Sequence, residues 1–131
     1  MKSIYKEGDR KLIKIVVTNT DVAAFNANTV HNVCSTYALA RNIEWATRQY
    51  VLEMIDIDEE GIGTYLNIHH KSPAMIGEIL TIESKVKSMV KNQLICRFKV
   101  SVDDRMIAFG ETGQRILKKE KLEKIFSSLE K

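Results

Sequence analysis

Glu44 has a side chain capable of nucleophilic or base chemistry at a position that a structural role alone explains poorly. Small and apolar residues flank it at helical spacing, among them Ala40 and Thr47, so its carboxylate would lie within or beside a core-facing stripe. A desolvated carboxylate is costly unless it is paired, which makes Glu44 a candidate catalytic group. The alternative is that Glu44 reaches water at the edge of the stripe, or pairs with Arg41 or Arg48 on its own helix.

His70 is the second candidate for acid–base chemistry. Alternation along a strand places Leu66, Ile68 and His70 on one face and His69 on the other. The face with the apolar side chains should meet the helix, so we expect His70 near Glu44. A histidine beside a carboxylate can act as general acid or base near neutral pH. Taken alone, a strand histidine is more often an ordinary polar residue.

Ser35 and Thr36 stand just ahead of the helical pattern, where a capping hydroxyl belongs. Such a hydroxyl could also activate water, or bind or attack a substrate, near the positive end of the helix dipole. Cys34 has no activating neighbour in the sequence, so we interpret it as a packed thiol. Gly63, at the start of a strand, either serves a turn or lets a ligand approach the backbone.

These residues need a scaffold, and the sequence predicts one of the α+β class. Residues 11–18 read as a first strand, 20–32 as an irregular loop or lid, and 37–55 as one long amphipathic helix. Period-two alternation then predicts an antiparallel meander of four strands, at residues 63–71, 78–89, 93–102 and 106–117. A short helix should end the chain, at residues 118–131. One curved antiparallel sheet wrapped around one long helix is the hot-dog arrangement.

Length and composition set the class of protein. The chain has 131 residues, with 44% hydrophobic and 28% charged residues, which predicts a single globular domain spanning residues 1–131. The net charge of +3 is too weak to indicate nucleic-acid binding. Neither a membrane span nor a signal peptide is evident, so we expect a cytoplasmic protein without membrane contact. Two cysteines make neither a disulfide framework nor a metal cluster.

The candidate residues share their order and spacing with one family, the fluoroacetyl-CoA thioesterases, which the chain resembles over residues 30–117. The joint spacing of Thr36, Glu44, Gly63 and His70 carries most of this resemblance. The individual motifs are Cys34-Ser35-Thr36, Glu44-Trp45-Ala46, Gly63-Thr64, His70 followed by Pro73 and Gly77, and residues 110–115.

This resemblance implies an acyl-CoA thioesterase that converts a thioester to the free acid and CoA. The implied catalytic residues are Thr36, Glu44 and His70. The implied substrate-binding residues are Gly63, Ser35 and Arg115, with the Gly63 amide donating to the thioester oxygen. No metal and no separate cofactor are expected, because coenzyme A is part of the substrate.

The chain also departs from the family pattern. Ala27 and Val30 stand where fluoroacetyl-selective members have an aromatic lid, and Gln114 stands where a histidine or arginine often lies. A short-chain or otherwise small acyl-CoA is therefore the expected substrate. The alternatives are a non-catalytic acyl-CoA-binding protein and a hot-dog dehydratase, although residues 37–55 lack the aspartate of a dehydratase.

The distance between Thr36 and Glu44 along the predicted helix bears on whether one chain can form the site alone. Eight residues along a helix span about 12 Å, so Thr36 and Glu44 cannot touch if both are helical. Either the thioester sits between them, or one of them belongs to a neighbouring subunit. A sheet wrapped on one helix also leaves an unpaired edge strand, which a two-fold axis would cover. We therefore expect a homodimer or a tetramer.

Overall fold

The computed structural model describes residues 1–25 and 28–130, with the side chains of residues 23–31 left out. A five-stranded antiparallel sheet packs against one long helix, and a two-stranded sheet lies ahead of that helix. The strands are β1 (Arg10–Val16), β2 (Val22–Phe25), β3 (Asn28–Cys34), β4 (Glu59–His70), β5 (Ile79–Val90), β6 (Gln93–Val102) and β7 (Arg105–Lys118). The helices are α1 (Thr36–Met54) and α2 (Lys119–Leu129), with a 3₁₀ turn at Asn19–Asp21. The predicted hot-dog architecture is confirmed.

Strands β5, β6 and β7 form a meander of three strands, which is the last part of the predicted meander of four. Lys91 and Asp103 adopt φ values of 56° and 50°, as the tight turns between antiparallel strands require. The sheet order is β1-β5-β6-β7-β4. Strands β1 and β4 therefore flank the meander, one on either side.

The prediction that β4 continues into the meander beside β5 is wrong. It pairs with β7 instead, with His70 opposite Ala108. The connection between β4 and β5 is anchored at both ends and is no hairpin: the amide of Lys71 donates to Ile107 O, and the amide of Gly77 donates to Val17 O. The connection therefore runs from the edge of the sheet formed by β4 to the opposite edge, formed by β1.

The prediction of an irregular loop at residues 20–32 is also wrong, because β2 and β3 pair there. Register shifts on either side of Ala23 interrupt the pairing, and such bulges remove the regular alternation by which a strand is recognised. The end of β3 is tied down by its backbone, since the Cys34 amide donates to Ala74 O. The side chains of Ala27 and Val30, expected at the lid, lie outside the described residues.

Helix α1 begins where its cap predicts. Ser35 Oγ accepts a hydrogen bond from the Ala38 amide at 3.0 Å, which satisfies one of the free amides of the first turn. The helix buries one face against the sheet, at Ala38, Leu39, Ile43, Ala46, Thr47, Tyr50, Val51 and Met54. Each large apolar side chain in that face contributes about 1.5–3 kcal/mol to folding.

Close packing of α1 on β4 depends on Gly61. A Cβ atom at this position would lie 2.3 Å from Val51 Cγ1, so only glycine lets the strand approach the helix. The terminal helix α2 packs less closely, since it buries Leu122 and leaves Ile125, Phe126 and Leu129 partly or largely exposed. Within residues 1–25 and 28–130, neither helix has the length and apolarity needed to cross a membrane.

Candidate active site

The start of α1 and the end of β4 bring Thr36 and His70 together. Thr36 Oγ1 and His70 Nδ1 lie 2.9 Å apart and share a hydrogen bond. Thr36 is exposed, whereas His70 is half-buried and its Nε2 has no hydrogen-bond partner among the described residues. The expected strand alternation is observed, because His69 is exposed on the opposite face and stacks on Phe109 with ring centroids 4.9 Å apart.

The surroundings of this pair favour negative charge. The hydroxyl of Ser35 is engaged as the helix cap, which leaves the Thr36 hydroxyl available to His70. The first amides of a helix lack intrahelical partners and carry a partial positive charge. A cavity of about 240 Å³ lies beside His70 and is lined in part by Ser72 and Pro73, which follow β4.

Glu44 lies in a second, larger cavity of about 580 Å³ between α1, β4 and β7. Its side chain is exposed at the edge of the buried stripe, so the expectation of a desolvated carboxylate is wrong, and its catalytic role stays a prediction. Neither nearby arginine is bound to it: Arg41 pairs with Asp21 at 2.7 Å, and Arg48 Nη1 donates to Gly61 O at 3.1 Å. Among the described residues Glu44 has no ion pair, and its carboxylate is available to a ligand.

Gly63 contributes open space to the same cavity. A Cβ atom built on it would meet nothing within 4 Å, and a bulge separates it from Tyr65 along β4. Its neighbour across the sheet is Gln114, which also lines the cavity. A ligand can therefore approach the backbone of Gly63 closely, as expected from the sequence.

Asp21 is a site-supporting residue that the sequence reading missed. Its buried carboxylate accepts hydrogen bonds from the Thr18 amide at 2.9 Å and from Arg41 at 2.7 Å, while its carbonyl accepts from the Ser35 amide. Burial alone would raise the pKa of Asp21, but the bonds from Thr18 and Arg41 outweigh it and lower the pKa. Asp21 thus fixes the helix start that presents Thr36, and the Thr18-x-x-Asp21 spacing was the available signal.

Two other candidates lie away from both cavities. Arg115 is exposed and follows the buried Gln114 along β7, so it points to the outer face of the sheet. The structure does not bring it together with Glu44. Burial raises the pKa of the Cys34 thiol to about 11, and a thiol that stays protonated is a poor nucleophile.

The three predicted catalytic residues and Gly63, predicted to bind substrate, therefore form two clusters within one chain. Thr36 with His70 is one, and Glu44 with Gly63 is the other. Eight residues of helix separate Thr36 from Glu44, which corresponds to about 12 Å, and seven residues of strand separate Gly63 from His70, about 23 Å. The expected proximity of His70 to Glu44 is not found within the chain, because His70 packs at the start of the helix.

Comparison with known proteins identifies the family. A sequence profile of the fluoroacetyl-CoA-specific thioesterases (FlK) matches residues 17–120. The chain belongs to the fluoroacetyl-CoA-specific thioesterase family. The match covers β3, α1, β4 and the whole meander, so both clusters lie within it. Family membership supports acyl-CoA thioester hydrolysis as the activity. A search of curated protein sequences gives no match.

Solved structures agree with this assignment. A hypothetical protein of Thermus thermophilus from the thioesterase superfamily is 30% identical over 98% of this chain and 95% of its own, with a TM-score of 0.90. FlK is 16% identical over 97% and 98%, with a TM-score of 0.86, and a mutant of it has been solved with fluoroacetate and CoA. A hot-dog-like protein from Thermanaerovibrio acidaminovorans is 16% identical over 95% and 93%, with a TM-score of 0.84.

Proposed function

We propose that this member of the fluoroacetyl-CoA-specific thioesterase family hydrolyses a short-chain or small acyl-CoA, using Thr36, Glu44 and His70. The observation that carries the proposal is the hydrogen bond between Thr36 Oγ1 and His70 Nδ1 at the start of α1. It couples an exposed hydroxyl to an imidazole beside the positive end of a helix, where an acyl carbonyl would be polarised.

The roles follow from the chemistry of thioester cleavage. Either the Glu44 carboxylate attacks the carbonyl carbon and forms a mixed anhydride, which water then hydrolyses to the free acid and the Glu44 carboxylate, or Glu44 takes a proton from a water that attacks the carbonyl carbon directly. In either route the carbon–sulfur bond breaks after the first attack, and His70 supplies the proton that the CoA thiolate takes up. Thr36 orients the imidazole or the water. Amides of the first turn of α1, or that of Gly63, stabilise the oxyanion.

We further propose that the protein is a homodimer formed through β4. This strand pairs with β7 on one side only and forms an edge of the sheet, so among the described residues no strand covers the other side of Glu59–His70. Tyr65 on this strand and Trp45 on α1 are 45% and 54% exposed. Apolar surface beside a free edge favours a second copy as its cover.

Such a dimer would unite the two clusters. Antiparallel pairing of β4 with its own copy about an axis near Asn67 would place His70 opposite the partner subunit's Gly63 and the bulge that follows it. The Thr36–His70 pair of one subunit would then face Glu44 of the other subunit across the thioester. The separation of the clusters within one chain supports this arrangement.

Activity is tested with a panel of acyl-CoA esters, from acetyl to hexanoyl, by following release of the free CoA thiol. We expect turnover of the shorter esters without added metal or cofactor. A non-catalytic acyl-CoA-binding protein would bind the esters and release no thiol. A dehydratase would leave the thioester intact while changing a hydroxyacyl chain. The cytoplasmic location inferred from the sequence stays a prediction.

Oligomeric state and subunit composition are tested together. Light scattering at micromolar concentration should give twice the chain mass of 15.0 kDa. Glu44→Gln and His70→Ala chains, each inactive alone, should regain roughly a quarter of wild-type activity when refolded as a 1:1 mixture, since half of the dimers are mixed and each holds one intact site. A monomer, or a mixture that stays inactive, would rule out a site shared between subunits.

A further inference from the structure

The outer face of the sheet, which is turned away from α1, carries three positive charges in one row. Arg10 on β1 lies directly opposite Lys85 on β5, and Lys85 lies directly opposite Arg97 on β6. All three side chains are exposed, whereas neighbouring residues of β5 and β6, Val86 and Cys96, point into the core. Because neighbouring strands are about 4.8 Å apart, this cationic row is about 10 Å long.

Nearby carboxylates neutralise the cationic row at one end only. Glu111 follows Arg97 across the sheet and lies 3.4 Å from its Nε, but a lysine of β5 binds the same oxygen at 2.7 Å. Glu83 lies opposite Lys99 and pairs with it at 3.5 Å. Within residues 1–25 and 28–130, the other two cations of the row have no ion pair.

The cationic row lowers the stability of the sheet. Like charges that lie directly opposite each other are destabilising, and adjacent strands are closer than the screening length of about 8 Å in physiological salt. The hydrophobic core gains nothing from these three charges, since they lie on the exposed face. An anion bound along the row would offset the repulsion, so the arrangement is explained if this face holds a ligand.

A groove of about 460 Å³ contains the cationic row. All three cations line it, together with Leu12, Glu83 and Lys99. The aromatic side chain in its lining, Phe98, is only 4% exposed. Proteins hold single-stranded nucleic acids largely by stacking bases on exposed aromatic rings. The described part of this groove therefore offers positive charge without a stacking surface.

We propose that the groove binds a chain of linked phosphates, as found in inorganic tripolyphosphate and in nucleoside triphosphates. Arg10 and Arg97 would hold phosphate oxygens in the forks of their guanidinium groups, and Lys85 would add a compact charge between them. Linked phosphates concentrate several negative charges within the length of the row. A single phosphate would reach only part of it, and a longer polyanion would run on to the carboxylate of Glu111.

This site is independent of the proposed thioesterase site. It spans β1, β5 and β6 on the outer face, whereas Glu44 lies on α1 beside β4, at the opposite edge of the sheet. Binding of linked phosphates should therefore be the same in the wild type and in Glu44→Gln, whether or not the protein hydrolyses a thioester.

The test is calorimetric titration of the protein with tripolyphosphate and with ATP in a phosphate-free buffer of low ionic strength. We expect saturable binding that Lys85→Gln weakens by about 10-fold or more, and that Lys85→Arg retains. Lys14→Gln is the matched control, because Lys14 is an exposed lysine on the same face of β1 that lies opposite Thr81 and not another cation. Its effect should stay within a few-fold. Without ligand, Lys85→Gln should melt higher than the wild type, since it removes the repulsion.

The two ligands distinguish the sources of the phosphate chain. Tighter binding of ATP would indicate a nucleoside triphosphate, and equal or weaker binding would indicate recognition of the phosphate chain alone. The proposal is wrong if neither ligand binds, if orthophosphate binds as tightly, or if Lys14→Gln weakens binding as much as Lys85→Gln. Tighter binding of single-stranded oligothymidylate or of polyglutamate than of tripolyphosphate would also overturn it, since the face would then serve a macromolecular partner.

Discussion

Glu44→Gln is expected to lower acyl-CoA turnover by about 1000-fold while leaving the fold intact. The amide keeps the size of the side chain but can neither attack a carbonyl nor accept a proton from water. Because Glu44 is exposed and unpaired among the described residues, the free energy of unfolding should change by less than about 0.5 kcal/mol. Turnover and melting temperature are measured on the same preparation.

Glu60→Gln is the matched control for this change. Glu60 is also an exposed glutamate, but it follows the buried Glu59 at the start of β4, outside the cavity. Its substitution makes the same change of charge and should leave turnover within a few-fold. If Glu44→Gln behaved like Glu60→Gln, the catalytic assignment of Glu44 would be lost.

His70→Ala is expected to lower turnover by about 100-fold or more, since a general acid or base contributes that much. The neighbouring His69→Ala should change it by no more than a few-fold. His69 lies on the outer face of the sheet against Phe109, whereas His70 is bonded to Thr36. The two substitutions remove the same group one residue apart. If His70→Ala also changed turnover by no more than a few-fold, the imidazole bonded to Thr36 would have no part in the reaction.

Where the sequence carries a regular pattern with clear boundaries, it predicts the fold well. Strand β6 was predicted at the residues it occupies, 93–102, because alternation is strict and a turn stands at each end. Helix α1 differs from its prediction by one residue at each end. The pairing of β4 with β7 could not be predicted, since alternation shows which face a residue points to and says nothing about which strand lies beside it.

For the candidate site too, the sequence predicted the positions of residues within their own helix or strand but not their contacts with other elements. Spacing placed Thr36 at the helix start and His70 on the inward face of its strand. Their mutual hydrogen bond depends on where the end of β4 meets the helix, which is a tertiary property. The local pairing of Asp21 with Thr18 was visible in the sequence, but its role at the helix start depends on Arg41, twenty residues away, and on the backbone of Ser35.

The sheet order has a consequence for how the chain folds. Two short turns connect the strands of the meander. Strand β1 pairs with residues that are distant along the chain: Val16 with Ile79, and Arg10 with Lys85. Contacts between distant residues form slowly, because loop closure costs entropy before any contact compensates it. During synthesis the apolar face of α1 leaves the ribosome before most of the sheet that covers it. The nascent chain should therefore be a client for chaperones until β7 has been made.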